Sequence, residues 1–263
     1  MTKYYLPKGD FPNPEQFIAN LIQNRYLHNI KLWLDKYCPF DEDKRRFNLE
    51  YQIRLLRNRK LAISLNIIDL RNYKSYFQRF ETLCKSLEQQ GYITKIYEGK
   101  VKWRLIVGLG HESVYETSIT LHRNYSIPII PASAVKGLIH HYAEKYGKLS
   151  KGDIVEIFGT QNKKGKMIFF DALPIIEENR DFVVLDVMNV HYKPYYEGGE
   201  TPGDWHNPTP IFFLAVEKGT KFRFALASKD EKLAEKAVEL LKEAVNKIGI
   251  GAKTSAGYGY FEV

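Results

Sequence analysis

Three adjoining features at the C-terminal end of the chain limit the possible folds most: an amphipathic helix, a glycine-rich loop and a final strand. Ser228 and Glu231 have the spacing of a capping box at a helix start. The apolar stripe that follows at helical spacing consists of Leu233, Ala237, Leu240, Leu241, Ala244 and Ile248. Gly249 stands where helices commonly end in a left-handed residue, and Tyr258–Val263 predicts a closing strand.

The stretch before this helix alternates between strand-like and helix-like segments. Pro131 and Ser133 introduce a helix that ends at Gly147. The predicted strands are Lys100–Gly108, Met167–Leu173, Phe182–Val190, Ile211–Val216 and Lys221–Ala227, the last two as a hairpin across Glu217–Thr220. The order of strand, helix, strands, helix and strand predicts an α+β domain with a ferredoxin-like, RRM-like βαββαβ path and insertions.

The first hundred residues differ in character, since helical patterns occupy 14–37, 41–60 and 72–90. We therefore expect a mainly helical N-terminal region over residues 1–99, packed on a ferredoxin-like domain over residues 100–263. The segment 192–210 is rich in Pro and Gly and predicts a long loop, a kind of segment that often carries function.

Charge and composition narrow the class of protein. The net charge is +8 and most of the excess lies in residues 1–100, which favours a polyanionic partner such as a nucleic acid. No apolar run is long enough for a membrane span, and the N-terminus lacks the apolar core of a secretory signal. The two cysteines, Cys38 and Cys84, form no CxxC motif, so we expect reduced thiols, a cytoplasmic protein and no zinc site.

The glycine-rich loop has a doubled GxG pattern, Gly249-Ile-Gly251 and Gly257-Tyr-Gly259. It is no P-loop, because Ala252 stands where Gly must precede the lysine and because the loop follows a helix. It is no dinucleotide-binding loop either, since Thr254 replaces the third glycine. Backbone N–H groups with Lys253, Thr254 and Ser255 are suited to hold phosphates, although a plain glycine-rich connection is the alternative.

Four stretches together resemble the RAMP superfamily, the repeat-associated RNA-binding proteins of CRISPR systems. They are the doubled GxG loop before the last strand, Ile129–Gly137 (IIPASAVKG), Phe158–Thr160 with Met167–Asp171, and Asp186–Pro208. The first three are typical of the superfamily. The fourth is similar to the sixth subunit of the Cmr, or type III-B, effector complex. The resemblance covers roughly residues 100–263 and leaves residues 1–99 unmatched.

The resemblance implies a non-catalytic, crRNA-binding structural subunit that caps the 3′-end side of a type III-B complex in antiviral defence. The implied partners are crRNA, target RNA nearby, the repeated backbone RAMP subunit, the other 3′-end RAMP subunit and the small helical subunit, with no membrane, cofactor or metal. The residues expected to bind RNA are His122, Arg123, Ser133, Lys136, Gly249, Gly251, Lys253, Thr254, Ser255, Gly257 and Gly259. Those expected to stack on RNA or contact a subunit are Tyr192, Lys193, Tyr195, Tyr196 and Trp205.

Two alternatives stay open. Several histidines, among them His111 and His122 with Glu112 and Glu116 nearby, suit a metal-independent RAMP endoribonuclease that processes CRISPR RNA. The hydroxyls of the loop Thr117–Asn124 also suit phosphate binding without catalysis. Lys136 suits either phosphate binding or the ordinary role of a solvated helix lysine. The other alternative is a protein–protein scaffold without RNA contact, in which the charges of Arg123 and Lys253 have no effect on RNA retention.

Overall fold

The computed structural model describes residues 2–4, 31, 34–35, 39–41, 46–47, 70–177 and 182–262. The helices are α1 (Leu70–Gln89), α2 (Ala132–Lys145), α3 (Lys151–Phe158), α4 (Lys193–Tyr196) and α5 (Glu231–Lys247), with a 3-10 turn at Thr254–Ala256. The strands are β1 (Thr2–Tyr4), β2 (Pro39–Asp41), β3 (Arg46–Phe47), β4 (Ile93–Val101), β5 (Ile168–Phe169), β6 (Leu173–Ile175), β7 (Val183–Val190), β8 (Thr209–Val216), β9 (Lys221–Ser228) and β10 (Phe261–Glu262).

The central sheet is antiparallel and has the strand order β10-β4-β9-β5, with β6 also paired to β9. Side chains of a strand alternate between faces, and the apolar Phe222, Phe224 and Leu226 of β9 belong to one core with helices α2 and α5. The stripe of α5 supplies much of that core, with Leu233, Ala237, Leu241 and Ala244 all buried. The mixed α/β architecture predicted from the sequence is confirmed, and so is the apolar stripe of the last helix.

Helix α1 covers part of the opposite face of the sheet. Phe80 and the free thiol residue Cys84 pack with Leu173 and Ala225 of the sheet. Arg223, on the same face of β9, forms ion pairs with Glu81 of α1 and Glu98 of β4 and lies 4.8 Å from the ring centre of Phe77. The helix predicted over 72–90 is thus present, and it ends at Gln89, two residues before Gly91, whose φ is +80°.

Strands β7 and β8 form a separate two-stranded ribbon with an eight-residue register from Val183↔Val216 to Val190↔Thr209. The predicted hairpin between Ile211–Val216 and Lys221–Ala227 is therefore wrong, although both strands exist. One edge of β9 is occupied by β4 and the other by β5 and β6, so β8 has no edge of β9 to pair with. The turn 217–220 carries the chain from the ribbon to the central sheet.

Three further predictions need correction. The first strand of the sheet is Ile93–Val101 instead of Lys100–Gly108, and residues 104–106 run alongside β8 and the glycine loop. Helix α5 is capped by Asp230, whose side chain accepts a hydrogen bond from the N–H of Leu233 at 3.2 Å, and not by Ser228. The closing strand is limited to Phe261–Glu262.

The N-terminal predictions fall mostly outside the described residues. Lys31, Leu34 and Asp35 are helical, in agreement with the helix predicted over 14–37. Asp41 and Arg46–Phe47 are strand residues, so the helix predicted to begin at 41 is wrong there. These strands pair with each other and with Thr2–Tyr4, a long-range contact that local periodicity does not show. No helix of the described chain is long and apolar enough to cross a membrane.

Candidate nucleic-acid interface

The glycine-rich loop is held to the body of the protein by backbone hydrogen bonds. The N–H of Ala252 donates to the carbonyl of Ile106 at 2.8 Å, and the N–H of Gly259 donates to that of Arg104 at 2.7 Å. A third bond closes the loop on itself, from the N–H of Ile250 to the carbonyl of Gly259 at 2.9 Å. The two GxG pairs therefore run side by side against residues 104–106, and the residues between them project as a tip.

Two glycines are required by this internal packing. A Cβ atom on Gly251 would lie 2.2 Å from the carbonyl oxygen of Ile106, and one on Gly259 would lie 2.0 Å from that of Ile250. Both distances are far below van der Waals contact and the obstructing atoms are backbone. A Cβ atom on Gly257, whose φ is +91°, would have no other atom within 4 Å. The four glycines predicted to touch RNA thus differ in their surroundings. Gly251 and Gly259 fit the loop to the protein, Gly249 is buried with the carbonyl oxygen of Gly259 3.2 Å from its Cβ position, and Gly257 faces open space.

The tip presents Lys253, Thr254 and Ser255 toward solvent. Lys253 has a left-handed backbone with a φ of +57° and precedes the 3-10 turn. Within the described chain, no group accepts a hydrogen bond from the N–H of any of these three residues, and Ser255 is exposed. Successive free N–H groups beside a lysine and two hydroxyls are suited to phosphate oxygens.

A partly buried ionic cluster fixes the far side of the loop. Asp186 of β7 accepts hydrogen bonds from the guanidinium of Arg104 at 2.7 Å and from the hydroxyl of Tyr258 at 2.8 Å. Burial alone would raise the pKa of the Asp186 carboxyl, but the hydrogen bonds from Arg104 and Tyr258 outweigh burial and lower it. Burial, together with the bond to Asp186, raises the pKa of Tyr258 to about 12. The cluster joins three segments that are distant in sequence.

The segments beside the loop lead to the start of α2. The N–H of Thr120 donates to the carbonyl of Val107, and the N–H of Ile129 donates to that of Thr120. Ile129 is thus three strand spacings from Ala252, by way of residues 106–107 and Thr120, a separation of about 15 Å. The start of α2 and the glycine loop, both assigned to RNA binding from the sequence, therefore lie on neighbouring but separate segments.

Ser133 and Lys136 are exposed on the first turns of α2. The N–H of Ala132, at the same helix start, already donates to the carboxylate of Asp171 at 2.7 Å. A carboxylate of the protein itself therefore occupies one of the backbone donors at this helix N-terminus, a position that favours anions. The side chain of Lys136 stays accessible to an external partner.

His122 stabilises the turn 122–126. Its Nδ1 accepts hydrogen bonds from the N–H groups of Asn124 and Tyr125 at 3.2 and 3.4 Å, and its ring lies 4.7 and 5.0 Å from the rings of Tyr125 and Tyr76. Burial lowers the pKa of His122, which is opposed by the nearby carboxylate of Asp171. An acceptor Nδ1 requires the neutral ring with its proton on Nε2. Arg123, next to it, is exposed.

Not every polar group of the Thr117–Asn124 loop faces solvent. The hydroxyl of Thr117 donates to the carbonyl of Phe212 at 3.0 Å and the residue is buried. Ile119 and Leu121 are also buried, so the segment alternates between core and surface. The Thr117 hydroxyl is therefore used inside the protein and does not contribute to the phosphate contact expected of this loop.

The segment between β7 and β8 forms an aromatic arm, which we define as residues 192–205. The predicted loop contains the short helix α4, and the hydroxyl of Tyr192 lies 3.4 Å from Asp204. Lys193 pairs with Glu197 at 3.6 Å. Tyr195, Tyr196 and Trp205 are exposed to 51, 73 and 72% of their surfaces. Large apolar side chains exposed together on one arm are typical of an interaction surface.

The remaining histidines are dispersed. His140 lies 3.4 Å from Glu144 on α2, and His206 lies 3.0 Å from the carbonyl of Thr201 in the aromatic arm. The exposed His111 closes a turn at Gly108. Within the ranges that the structure describes, no group of three or more His, Cys, Asp or Glu side chains is arranged to hold a metal ion.

Sequence reasoning missed Arg104 and gave Tyr258 no role of its own. Arg104 lies in the segment predicted as a plain strand, and its partner Asp186 entered only through the resemblance. A charged residue between Trp103 and Leu105 in an apolar run was the available signal. It was insufficient, because nothing local indicates that a carboxylate 82 positions later in the chain lies beside it.

Comparison with known proteins agrees with this architecture. The sequence pattern of the RAMP superfamily matches residues 100–262. The CRISPR system Cmr subunit Cmr6 of Pyrococcus furiosus is 39% identical, over 71% of this chain and 72% of that protein. Cmr6 of Saccharolobus solfataricus is 29% identical, over 97% of this chain and 84% of that protein. A chain in the cryo-EM structure of the type III-B Cmr-beta complex bound to cognate target RNA has a TM-score of 0.64 at 26% identity, covering 95% of this chain and 86% of that one.

Proposed function

Because this chain belongs to the RAMP superfamily, and within it to the Cmr6 subunits of type III-B CRISPR effector complexes, we propose that it is a non-catalytic crRNA-binding subunit at the 3′-end side of its complex. The observation that carries the proposal is the tip of the glycine loop. It holds Lys253 with three adjacent N–H groups that have no acceptor among the described residues.

The fixed conformation of the loop favours binding. Backbone bonds to Arg104 and Ile106 and the contact of Tyr258 with Asp186 hold the loop before any ligand arrives. A preformed loop loses less conformational entropy on binding than a mobile one. Contacts through N–H groups and a lysine read the RNA backbone and not its bases, which suits a guide whose sequence is read by base pairing.

The path of the chain supports a ferredoxin-like domain, and the helix that covers part of its sheet supports one location for the RNA. In the order of the chain, β4, β5, β9 and β10 are strands one to four, and their order in the sheet is four-one-three-two, with α2 and α5 as the two crossovers. RRM domains of similar layout stack bases on the open sheet face. Here α1 covers part of that face through Phe80 and Cys84. We therefore place the RNA along the glycine loop and not on the sheet.

The state of His122 supports binding over cleavage. A general base needs a free nitrogen lone pair, and the Nδ1 lone pair of His122 accepts two backbone N–H groups instead. Its Nε2 carries the proton of the neutral ring, so this histidine can donate a hydrogen bond to a phosphate.

The aromatic arm suits the protein partners of such a subunit. Its exposed side chains lie at the end of the β7–β8 ribbon, away from the central sheet. The structurally similar chain is part of a multi-subunit complex bound to target RNA. We assign the arm to contact with the adjacent backbone subunit, with the second 3′-end RAMP subunit and the small helical subunit as further neighbours.

The test uses the reconstituted complex with labelled crRNA under increasing salt. Lys253→Asn removes the charge but keeps a residue that tolerates the left-handed backbone, so folding is preserved. Lys164→Asn, at an exposed lysine in the α3–β5 loop, is the matched control. We expect Lys253→Asn to weaken crRNA retention and to reduce the salt slope by about 0.7 for the lost phosphate contact. The control is expected to leave both unchanged.

Two outcomes would refute the proposal. Equal retention with Lys253→Asn, Lys253→Glu and Arg123→Glu would indicate a scaffold without RNA contact. Metal-independent cleavage of repeat RNA by the isolated chain, abolished by His122→Ala or His111→Ala, would indicate the endoribonuclease.

A further inference from the structure

Trp103 is an exposed aromatic residue that the fold does not require to be at the surface. It lies two residues after the end of strand β4, and 49% of its surface is exposed. A tryptophan ring gains stability mainly from burial, so one left half open at the end of a sheet points to a ligand or a partner. Its position is well defined, because Lys102 and Arg104 on either side of it make backbone hydrogen bonds.

The ring lies at the exit of the glycine loop. The N–H of Lys102 donates to the carbonyl of Tyr260 at 2.8 Å, and the carbonyl of Arg104 accepts from the N–H of Gly259. Trp103 and Ile106, which bonds the loop at Ala252, are three residues apart and thus separated by at most about 11 Å. The ring therefore adjoins the loop proposed to hold RNA.

Two cations contact the ring, and they differ in mobility. The guanidinium of Arg104 lies 5.3 Å from the ring centre and is held in place by Asp186. The ammonium of Lys218 lies 5.9 Å from the ring centre and belongs to an exposed turn residue. An exposed contact between a cation and an aromatic ring changes an equilibrium constant by about two- to fivefold. A base stacked on an aromatic ring changes a binding constant by about 5- to 150-fold. A base can therefore displace Lys218 from the ring.

The charges around the ring favour a polyanion. Arg104 and Lys218 contact the ring, Lys102 precedes Trp103 in the chain, and the acidic residues that contact these ring cations are Asp186 and Glu217. Asp186 is paired with Arg104, while Glu217 lies 4.0 Å from Arg104 and accepts from the N–H of Lys218. Lys102 is exposed and makes no ion pair with any described residue. Lysines beside a bound base are placed to contact the phosphates of the same strand.

We propose that Trp103 is a stacking platform for an unpaired nucleobase of the bound RNA, with Lys102 and Lys218 contacting the flanking phosphates. The proposal rests on the proposed function, since the same strand would continue from the tip of the glycine loop to the ring. It adds a base-contacting position, without sequence preference, to a surface otherwise limited to backbone contacts.

Ultraviolet crosslinking of the reconstituted wild-type complex with crRNA is the first test. We expect crosslinks both to the peptide with residues 102–103 and to the peptide with residues 253–255. Crosslinks at the glycine loop without any at Trp103 would overturn the stacking proposal and leave the proposed function intact. Crosslinks at neither peptide would overturn both.

Substitution provides the second test. Trp103→Ala is expected to weaken crRNA retention by about 5- to 150-fold, and Trp103→Phe to keep most of it because the ring is preserved. Tyr146→Ala, at an exposed aromatic residue directly after α2 and outside the proposed RNA and subunit contacts, is the matched control and is expected to leave RNA retention unchanged. Equal losses in Trp103→Ala and Trp103→Phe would contradict stacking. Loss of a neighbouring subunit, with no crosslink at Trp103, would instead identify a protein-docking face and also overturn the proposal.

Discussion

Replacing Gly251 by alanine tests whether the glycine loop is shaped by internal packing. The φ of Gly251 is +93°, and a residue with a Cβ atom in the left-handed region costs about 1–2 kcal/mol. The new Cβ would also lie 2.2 Å from the carbonyl oxygen of Ile106, and overpacking of this kind costs about 1–3 kcal/mol. The free energy of unfolding should therefore fall by about 2–5 kcal/mol.

Gly257 offers a matched control within the same loop. Its φ of +91° imposes the same backbone cost, but its Cβ position is open. Both substitutions also reduce the entropy of the unfolded chain by the same amount, which cancels in the comparison. The difference between the two variants is thus the steric cost alone, about 1–3 kcal/mol.

Thermal unfolding of both variants measures this difference. For a domain of this size, 1 kcal/mol shifts Tm by about 2–4 °C, so Gly251→Ala should melt about 2–12 °C below Gly257→Ala. Equal melting temperatures, or a lower one for Gly257→Ala, would show that the loop does not depend on its close approach to residues 104–106. The loop glycines would then have to be explained by ligand contact.

Three other perturbations test contacts that only the folded chain creates. Tyr258→Phe removes a hydrogen bond to the carboxylate of Asp186, so the free energy of unfolding measured in urea should fall by about 1.5–3 kcal/mol. An unchanged urea midpoint would contradict the role of Tyr258 in anchoring the loop. Arg223→Leu removes the ion pairs of β9 with Glu81 and Glu98, so hydrogen exchange of the α1 amides should accelerate. An unchanged exchange rate would show that apolar packing alone holds α1 on the sheet. His122 has a lowered pKa, so the stability due to its neutral ring is complete above its unfolded pKa of about 6.5 and is lost as pH falls toward the folded pKa. Urea unfolding at pH 7.5 and 5 should show this loss of stability in the wild type. His122→Asn keeps an acceptor for the same N–H groups, so its stability should fall less between the two pH values. An identical pH dependence in both proteins would refute the assigned neutral state of His122.

The glycines and the tip residues of the glycine loop have different roles, which can be separated by substitution. Gly251 and Gly259 permit the close approach of two backbones, while Lys253, Thr254 and Ser255 remain at the surface. Substitutions at the first pair should therefore affect stability and RNA binding together. Substitutions at the tip should affect RNA binding alone, which separates the two roles experimentally.

The sequence alone determined the elements whose pattern is local. Helix α5, its left-handed end at Gly249, helix α2 and strands β7, β8 and β9 follow from periodicity and from glycine or proline at element ends. The doubled GxG loop and the stretches near α2 and β7 were also sufficient to identify the superfamily. Such signals need only residues that are close in the chain.

Only the tertiary structure decided which segments pair and which charged groups meet. Strand β8 pairs with β7 across the aromatic arm because both edges of β9 are occupied, and no local pattern shows that. The cluster of Arg104, Asp186 and Tyr258 joins residues from three distant segments, and its stability depends on their burial together. The exposure of Trp103 was likewise invisible in the sequence, because an aromatic residue at the end of an apolar strand is ordinarily part of the core.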